Sequence, residues 1–138
     1  MTRFKQYTTL DPEFVASKLS DFFAEDNSQN DITTQSTQIS GHIAKAVFIA
    51  KEPLVFAGKE IICQGFSDCK IEDIINDGDQ LNQGDIIATM RGRIDTILKN
   101  ERVVLNLIQR LSGIASTAKQ LSAITRESNI ELLDTRKT

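Results

Sequence analysis

ERVVLNLIQRLSGIASTAKQLSAITRESNIELLDTRKT, residues 101–138, is the stretch that decides the fold. Its apolar residues recur at helical spacing and predict two consecutive helices, the first of which should end or bend at Ser112-Gly113. The short apolar run at 130–134 then predicts a strand. One arginine lies on the first helix, and an Arg-Lys pair lies just past the strand. Cations held on rigid elements predict a site for an anionic small molecule.

The first helix is predicted to begin at residue 94 and has an unusually broad apolar side. At about 100° per residue its apolar positions cover roughly 200°, more than a surface helix needs, so we expect it to be covered on two sides. Glu101 falls within this arc and would need a partner there. Arg102 shares the polar side with Asn106 and Gln109, which favours a strip that faces a ligand. A solvated helix arginine is the alternative interpretation of Arg102.

Three polar residues come together at the end of the predicted strand. Thr135, Arg136 and Lys137 lie at or just beyond its carboxyl end, which is where ligands bind in parallel α/β sheets and barrels. A guanidinium can grip a carboxylate in a fork, and an ammonium offers a point charge for phosphate. The strand end therefore predicts part of an anion site.

The first two thirds of the chain predict helices and strands in one mixed arrangement. Asp11 is the expected N-cap of the opening helix, and Pro12 suits its first position. The predicted elements are a helix over 11–25, a largely buried strand over 43–50, a helix over 56–66, and strands over 69–75 and 86–90. The expected buried stripe of the opening helix is Phe14, Val15, Leu19, Phe22 and Phe23.

Two features between residues 69 and 85 depend on local geometry. Strict alternation along 69–75 would place Ile71 and Ile74 on opposite faces.

The Gly-Asp steps at 78–79 and 84–85 predict turns with positive φ, in which the aspartate bonds the local backbone. Such steps also occur in lipoyl and biotin carrier domains, but those carriers need a lysine at an exposed hairpin tip. We therefore interpret both steps as structural.

Charge is distributed unevenly along the chain. Residues 1–90 hold 7 Lys and Arg against 14 Asp and Glu, whereas residues 91–138 hold 9 against 5. The net charge of −3 argues against a general nucleic-acid binder. A basic region within an acidic protein instead indicates an anionic ligand that binds locally.

The two cysteines and the single histidine predict no metal site. Cys63 and Cys69, without a signal-peptide core at the N-terminus, are expected to be free thiols in a reducing cytoplasm, with a disulfide between them as the alternative. His42 is expected to be a strand-end residue, because no partner is visible near it in the sequence. No apolar run is long enough to span a membrane.

Taken together, these residues resemble the quinolinate phosphoribosyltransferase family of NAD biosynthesis. Asp31-Ile32-Thr33 is similar to the family's Gly-Asp-Leu-Thr turn, although Asn30 stands where glycine is usual, and Ala57-Gly58 also fits. The resemblance covers nearly the whole chain. Its most specific segments are Glu101-Arg102, Leu105-Asn106, Gln109 to Ala115, and Asp134 to Thr138.

The resemblance implies an α+β fold with two units. Residues 1–111 would form an N-terminal α/β sandwich domain, with a mixed or antiparallel sheet and helices. Residues 112–138 would supply the first helix and strand of an α/β barrel that is incomplete here. The family's barrel continues past this point, so we expect the chain to be an N-terminal portion, inactive alone. A non-catalytic dimerisation or ligand-binding module from the same family is the alternative.

The resemblance also implies a reaction, its substrates and the residues that bind them. The family transfers phosphoribose from phosphoribosyl pyrophosphate to quinolinate, with Mg²⁺, and releases CO₂ and pyrophosphate to give nicotinate mononucleotide. Arg102 would bind quinolinate in the site of the neighbouring subunit of a homodimer. Thr135 and Arg136 would line the same pocket. Lys137 would approach the phosphoribosyl pyrophosphate as the catalytic residue.

Overall fold

The computed structural model describes residues 9–27 and 41–126. Within these ranges the chain has an α+β architecture with antiparallel strands, which confirms the predicted fold class. The predicted strand at 130–134 lies outside the described residues. The elements are α1 Pro12–Glu25, β1 Ile43–Ile49, β2 Leu54–Val55, α2 Lys59–Gly65, β3 Lys70–Ile74, β4 Gln80–Leu81, β5 Ile86–Arg93 and α3 Ile94–Arg126.

Helix α1 begins as its sequence predicts. The carboxylate of Asp11 accepts a hydrogen bond from the backbone N–H of Phe14 at 2.9 Å, and proline follows at the first helical position. Val15 and Leu19 are buried. The predicted apolar stripe was too broad, because Phe14 is 57% exposed and Phe22 is 37% exposed. The helix packs along one narrow line against α2 and α3, so only residues four apart reach the core.

The main sheet has three antiparallel strands in the order β1-β5-β3, and β2 pairs with β4 in a second, two-stranded sheet. The prediction that β1 is largely buried is wrong. Phe48 faces the core, whereas Ile43, Val47 and Ile49 point outward and are 67%, 41% and 46% exposed. Strand β1 lies at the edge of the sheet and has one covered face, so successive side chains alternate between core and surface.

Strand β3 departs from the alternation predicted for it. Ile71 pairs with Met90 of β5, and Ile74 pairs with Ala88. Both partners are fully buried, so Ile71 and Ile74 face the same side of the sheet. The pairing register shifts between Ile71 and Asp73, where β3 has one more residue than β5. This bulge turns Ile74 back to the face on which Ile71 lies.

The two Gly-Asp steps form matching turns, as predicted. Gly78 and Gly84 have φ of 92° and 93°, values that favour glycine. In each turn the aspartate side chain accepts a hydrogen bond from the backbone N–H three residues earlier, at 2.9 Å for Asp79 and 2.7 Å for Asp85. These turns support the neighbouring strands, which is the structural role expected of them.

Helix α3 runs without interruption from Ile94 to Arg126, so the prediction that a helix ends at Ser112-Gly113 is wrong. The helix continues through this point because every fourth residue from 100 to 116 contacts the segment 55–65, so both halves of the helix pack on one surface. The division of the chain after residue 111 stays a prediction. The contacts are Asn100 and Val104 with Gly65, Ile108 with Gly58, Ser112 with Ala57, and Ser116 with Val55.

The Ser112 hydroxyl bridges the helix to the chain that precedes α2. It accepts from the backbone N–H of Ala57 at 3.1 Å and lies 3.3 Å from the Ala57 carbonyl oxygen, to which it donates. Ser112 is only 5% exposed, so water cannot readily replace these bonds. A serine that the sequence suggests as a helix breaker is therefore a buried support for a continuous helix.

We expect Ser112→Ala to lower the free energy of unfolding by about 1–3 kcal/mol, because it leaves the Ala57 backbone without its hydrogen-bond partner. Thr117→Ala is the matched control, since that exposed hydroxyl bonds only to Gly113 within the same helix. The control should change stability by less than about 0.5 kcal/mol. Urea unfolding of both variants measures the difference, and equal midpoints would contradict a structural role for Ser112.

Candidate anion-binding site

Arg102 is the one predicted site residue that lies within the described part of the chain. It is on the first half of α3, and its side chain is 68% exposed. Thr135, Arg136 and Lys137 lie outside the described residues, as does the turn at Asp31-Ile32-Thr33. The predicted convergence of Arg102 with the Thr-Arg-Lys segment therefore stays a prediction.

The guanidinium of Arg102 contacts a carboxylate that the sequence analysis missed. Its Nη1 atom lies 3.3 Å from Oδ1 of Asp26, which is the C-cap residue of α1. The Asp26 side chain is only 22% exposed. The two residues are 76 positions apart in the chain, and only the packing of α1 beside α3 brings them together. The sequence held one clue to this contact. Asp26 lies at the C-terminal end of α1, where the helix dipole disfavours a carboxylate, so a cationic partner could have been expected.

A close junction of three helices supports this pair. A methyl group at Gly65 of α2 would lie 2.5 Å from Cγ2 of Val104 and 3.8 Å from Cδ1 of Leu19. The absence of a side chain at Gly65 thus lets α2 meet α3 and α1 closely. Asn100 donates from Nδ2 to the carbonyl oxygen of Gly65 at 2.7 Å. Arg102 therefore projects from a part of α3 that is held by both packing and a hydrogen bond.

The polar side of α3 agrees with the prediction in part. Asn106 and Gln109 are exposed, as is Arg102, so the three polar residues reach solvent together. The expectation that Glu101 needs a buried partner is wrong, since Glu101 is exposed. The helix packs through Val104 and Ile108, and Glu101 lies at the margin of that contact, where water solvates the carboxylate.

Neither cysteine has the environment of a reactive thiol. Cys63 and Cys69 are free, as predicted, and each is half-buried. Burial raises the pKa of both thiols, and the carboxylates of Glu60 and Asp68 raise the pKa of Cys63 and Cys69 further. The raised pKa favours the protonated thiol at both positions, which is the opposite of what activates a cysteine nucleophile.

Two further arginines in the described part of the chain form ion pairs, on the outer surface of the sheet and at the start of α3. The guanidinium of Arg91 contacts Glu72 at 2.7 Å across two strands. Arg93 donates to Asp95, and this hydrogen bond lowers the pKa of the Asp95 carboxyl. Arg93 presents both Nε and Nη2 to Asp95, so its fork is occupied, and Arg91 contacts Glu72 through Nε. Arg102 differs because it contacts Asp26 through Nη1 alone.

Comparisons with known proteins agree on one family. The family model described as the N-terminal domain of quinolinate phosphoribosyl transferase matches residues 31–112. The chain is 42% identical over 124 residues to a probable nicotinate-nucleotide pyrophosphorylase [carboxylating] of Bacillus subtilis, covering 87% of this chain and 43% of that protein. It is 36% identical over 112 residues to quinolinate phosphoribosyltransferase [decarboxylating] 1b of Nicotiana tabacum, covering 78% and 31%.

Structural similarity covers more of the chain. The nicotinate-nucleotide pyrophosphorylase of Francisella tularensis superimposes with a TM-score of 0.88 at 26% identity, over 99% of this chain and 49% of that one. The chain thus spans less than half the length of the relatives it matches. The matched family model includes the Arg102–Ser112 part of α3.

Proposed function

This chain belongs to the quinolinate phosphoribosyltransferase family, and on that premise we propose that it is part of an enzyme that makes nicotinate mononucleotide. The enzyme transfers phosphoribose from phosphoribosyl pyrophosphate to quinolinate and releases CO₂ and pyrophosphate. Within the described residues, the observation that carries this proposal is the exposed guanidinium of Arg102 on a helix fixed at a three-helix junction.

The chemistry of quinolinate fits such a residue. Quinolinate is a pyridine with two carboxylates, and a guanidinium offers five N–H donors in a planar fork that can bind a carboxylate with two parallel hydrogen bonds. Thr135 and Arg136 complete the contacts to quinolinate in this proposal, and Lys137 stabilises charge on phosphoribosyl pyrophosphate. Rate enhancement then comes mainly from positioning the two substrates and from stabilising developing charge.

Mg²⁺ is the cofactor that the resemblance implies. Residues 9–27 and 41–126 contain no group of three His, Cys, Asp or Glu side chains that could hold a metal ion. The described residues therefore do not fit a metal site. We assign no step of the reaction to a metal held by them.

A homodimer is part of the proposal, because Arg102 would act in the site of the neighbouring subunit. The outward face of the main sheet supports it: Ile49 of β1 pairs with Ile86 of β5, Val47 lies two residues earlier on the same face of β1, and all three are exposed. Apolar side chains clustered in this way are usual at protein interfaces.

Two free cysteines also support a reducing, cytoplasmic location. Among the described helices, even the 33-residue α3 lacks the apolar length of a membrane span.

The decisive experiment is an assay of the full-length protein that contains this chain. We expect formation of nicotinate mononucleotide only when quinolinate and phosphoribosyl pyrophosphate are both present. Nicotinate in place of quinolinate is the control and should give no product, because it lacks the second carboxylate. A folded, dimeric full-length protein without turnover would contradict the proposal and would favour the non-catalytic module instead.

A further inference from the structure

The ion pair between Asp26 and Arg102 is unequal in its two members. Asp26 is 22% exposed and Arg102 is 68% exposed. The carboxylate is thus largely covered by neighbouring residues, whereas the guanidinium extends into solvent. The Asp26 backbone is fixed, since its N–H donates to the carbonyl oxygen of Phe22 at 2.9 Å. Asp26 is therefore the fixed member of the pair and Arg102 the adjustable one.

Asp26 occupies a position where a carboxylate does not help its own helix. The C-terminal end of a helix carries partial negative charge, which favours cations, and α1 has no basic residue in its last turn. The next residue, Asn27, has φ of 54°, a left-handed conformation that asparagine adopts readily just after a helix end. The unfavourable feature is therefore the carboxylate itself, and its place at the negative end of the helix dipole indicates that Asp26 serves a contact outside α1.

We propose that Asp26 is a positioning residue that aims the guanidinium of Arg102 at the carboxylate of an anionic substrate. The inference rests on the proposed function of Arg102. Oδ1 of Asp26 engages the Nη1 end of the guanidinium at 3.3 Å. The remaining N–H donors of the planar fork keep the geometry that a substrate carboxylate requires. Asp26 thus restricts an otherwise mobile side chain before the substrate binds.

Asp26 also has an opposing effect, because its negative charge repels the substrate carboxylate. Arg102 is 68% exposed, so water and salt screen the repulsion at a substrate beyond it to less than about twofold in affinity. Orienting the arginine is worth up to the strength of the pair itself, about 1 kcal/mol or a factor of about five in affinity. Orientation therefore outweighs repulsion, and removal of Asp26 should weaken quinolinate binding.

The test uses steady-state kinetics of the full-length enzyme with each substrate varied in turn. We expect Asp26→Ala to raise the KM for quinolinate about threefold and to leave the KM for phosphoribosyl pyrophosphate unchanged. Asp26→Asn keeps an acceptor oxygen for Arg102 and should raise the KM for quinolinate less than Asp26→Ala does. Asp21→Ala is the matched control on the same helix, since Asp21 pairs only with Lys18 in an exposed contact. It should leave both constants unchanged.

A double-mutant cycle separates this inference from the proposed function. In an Arg102→Ala background, Asp26→Ala should have no further effect on the KM for quinolinate, because the residue it positions is gone. An unchanged KM in Asp26→Ala, or equal increases for both substrates, would overturn the positioning role. If the alanine variant fails to fold, Asp26→Asn, which preserves shape, replaces it in the cycle with a smaller expected increase in the KM for quinolinate. If Arg102→Ala itself leaves the KM for quinolinate unchanged, the proposed role of Arg102 fails instead.

Discussion

Replacing Gly58 by alanine is expected to lower the free energy of unfolding by about 4 kcal/mol, the sum of a backbone penalty and an overpacking penalty. Gly58 has φ of 135°, a conformation that is essentially closed to residues with a side chain. An added Cβ would lie 2.6 Å from Cγ2 of Ile108 and 3.3 Å from its Cβ. The second contact is with the branch point of Ile108 near the helix backbone, so a rotamer change of Ile108 cannot remove it.

The urea midpoint of Gly58→Ala should fall while the denaturant dependence stays that of the parent protein. Gly113→Ala is the matched control, because a Cβ at Gly113 meets nothing within 4 Å. Gly113 lies inside the continuous helix α3, so alanine there should raise stability by about 0.5–1 kcal/mol. Wild-type stability in Gly58→Ala would contradict the close approach of residue 58 to α3. A loss in Gly113→Ala would contradict the unbroken helix.

Features that depend on neighbouring residues could be predicted from the sequence. The cap at Asp11 and the turns at Gly78 and Gly84 were predicted correctly because each is determined within about four residues. The shift in β3 was missed, since a bulge is visible only when its partner strand is in place. The burial of β1 was also misjudged. An apolar edge strand and a central strand have the same composition, and only the order of strands in the sheet distinguishes them.

The errors in α3 have one cause, which is that long-range contacts override local signals. Ser112 and Gly113 together suggest a helix end, yet the Ser112 hydroxyl finds a buried backbone partner 55 residues away. The same limitation applies to the candidate site. The helical pattern placed Arg102 on a polar face, but no local pattern could associate it with Asp26 at the end of α1.

Arg102→Ala is expected to raise the KM for quinolinate about 100-fold in the full-length enzyme. The change removes the paired hydrogen bonds between the guanidinium and a quinolinate carboxylate. A hydrogen bond to a charged partner is worth about 1.5–3 kcal/mol. The KM for phosphoribosyl pyrophosphate should change much less, because other cations bind its phosphates in the proposed site. Arg102→Lys should restore only part of the affinity, since an ammonium supplies charge without the planar fork. Steady-state kinetics with each substrate varied separately gives both constants.

The fold itself should survive this substitution, which is what makes the result interpretable. Arg102 is largely exposed, and its pair with Asp26 is a surface contact of the kind that contributes about 1 kcal/mol or less. Arg110→Ala removes the same charge from an exposed position on the same helix, about 12 Å further along its axis. A general effect of positive charge on α3 would weaken quinolinate binding in both variants. A specific fork at residue 102 would weaken it in Arg102→Ala alone, and equal KM values in the two variants would exclude that fork.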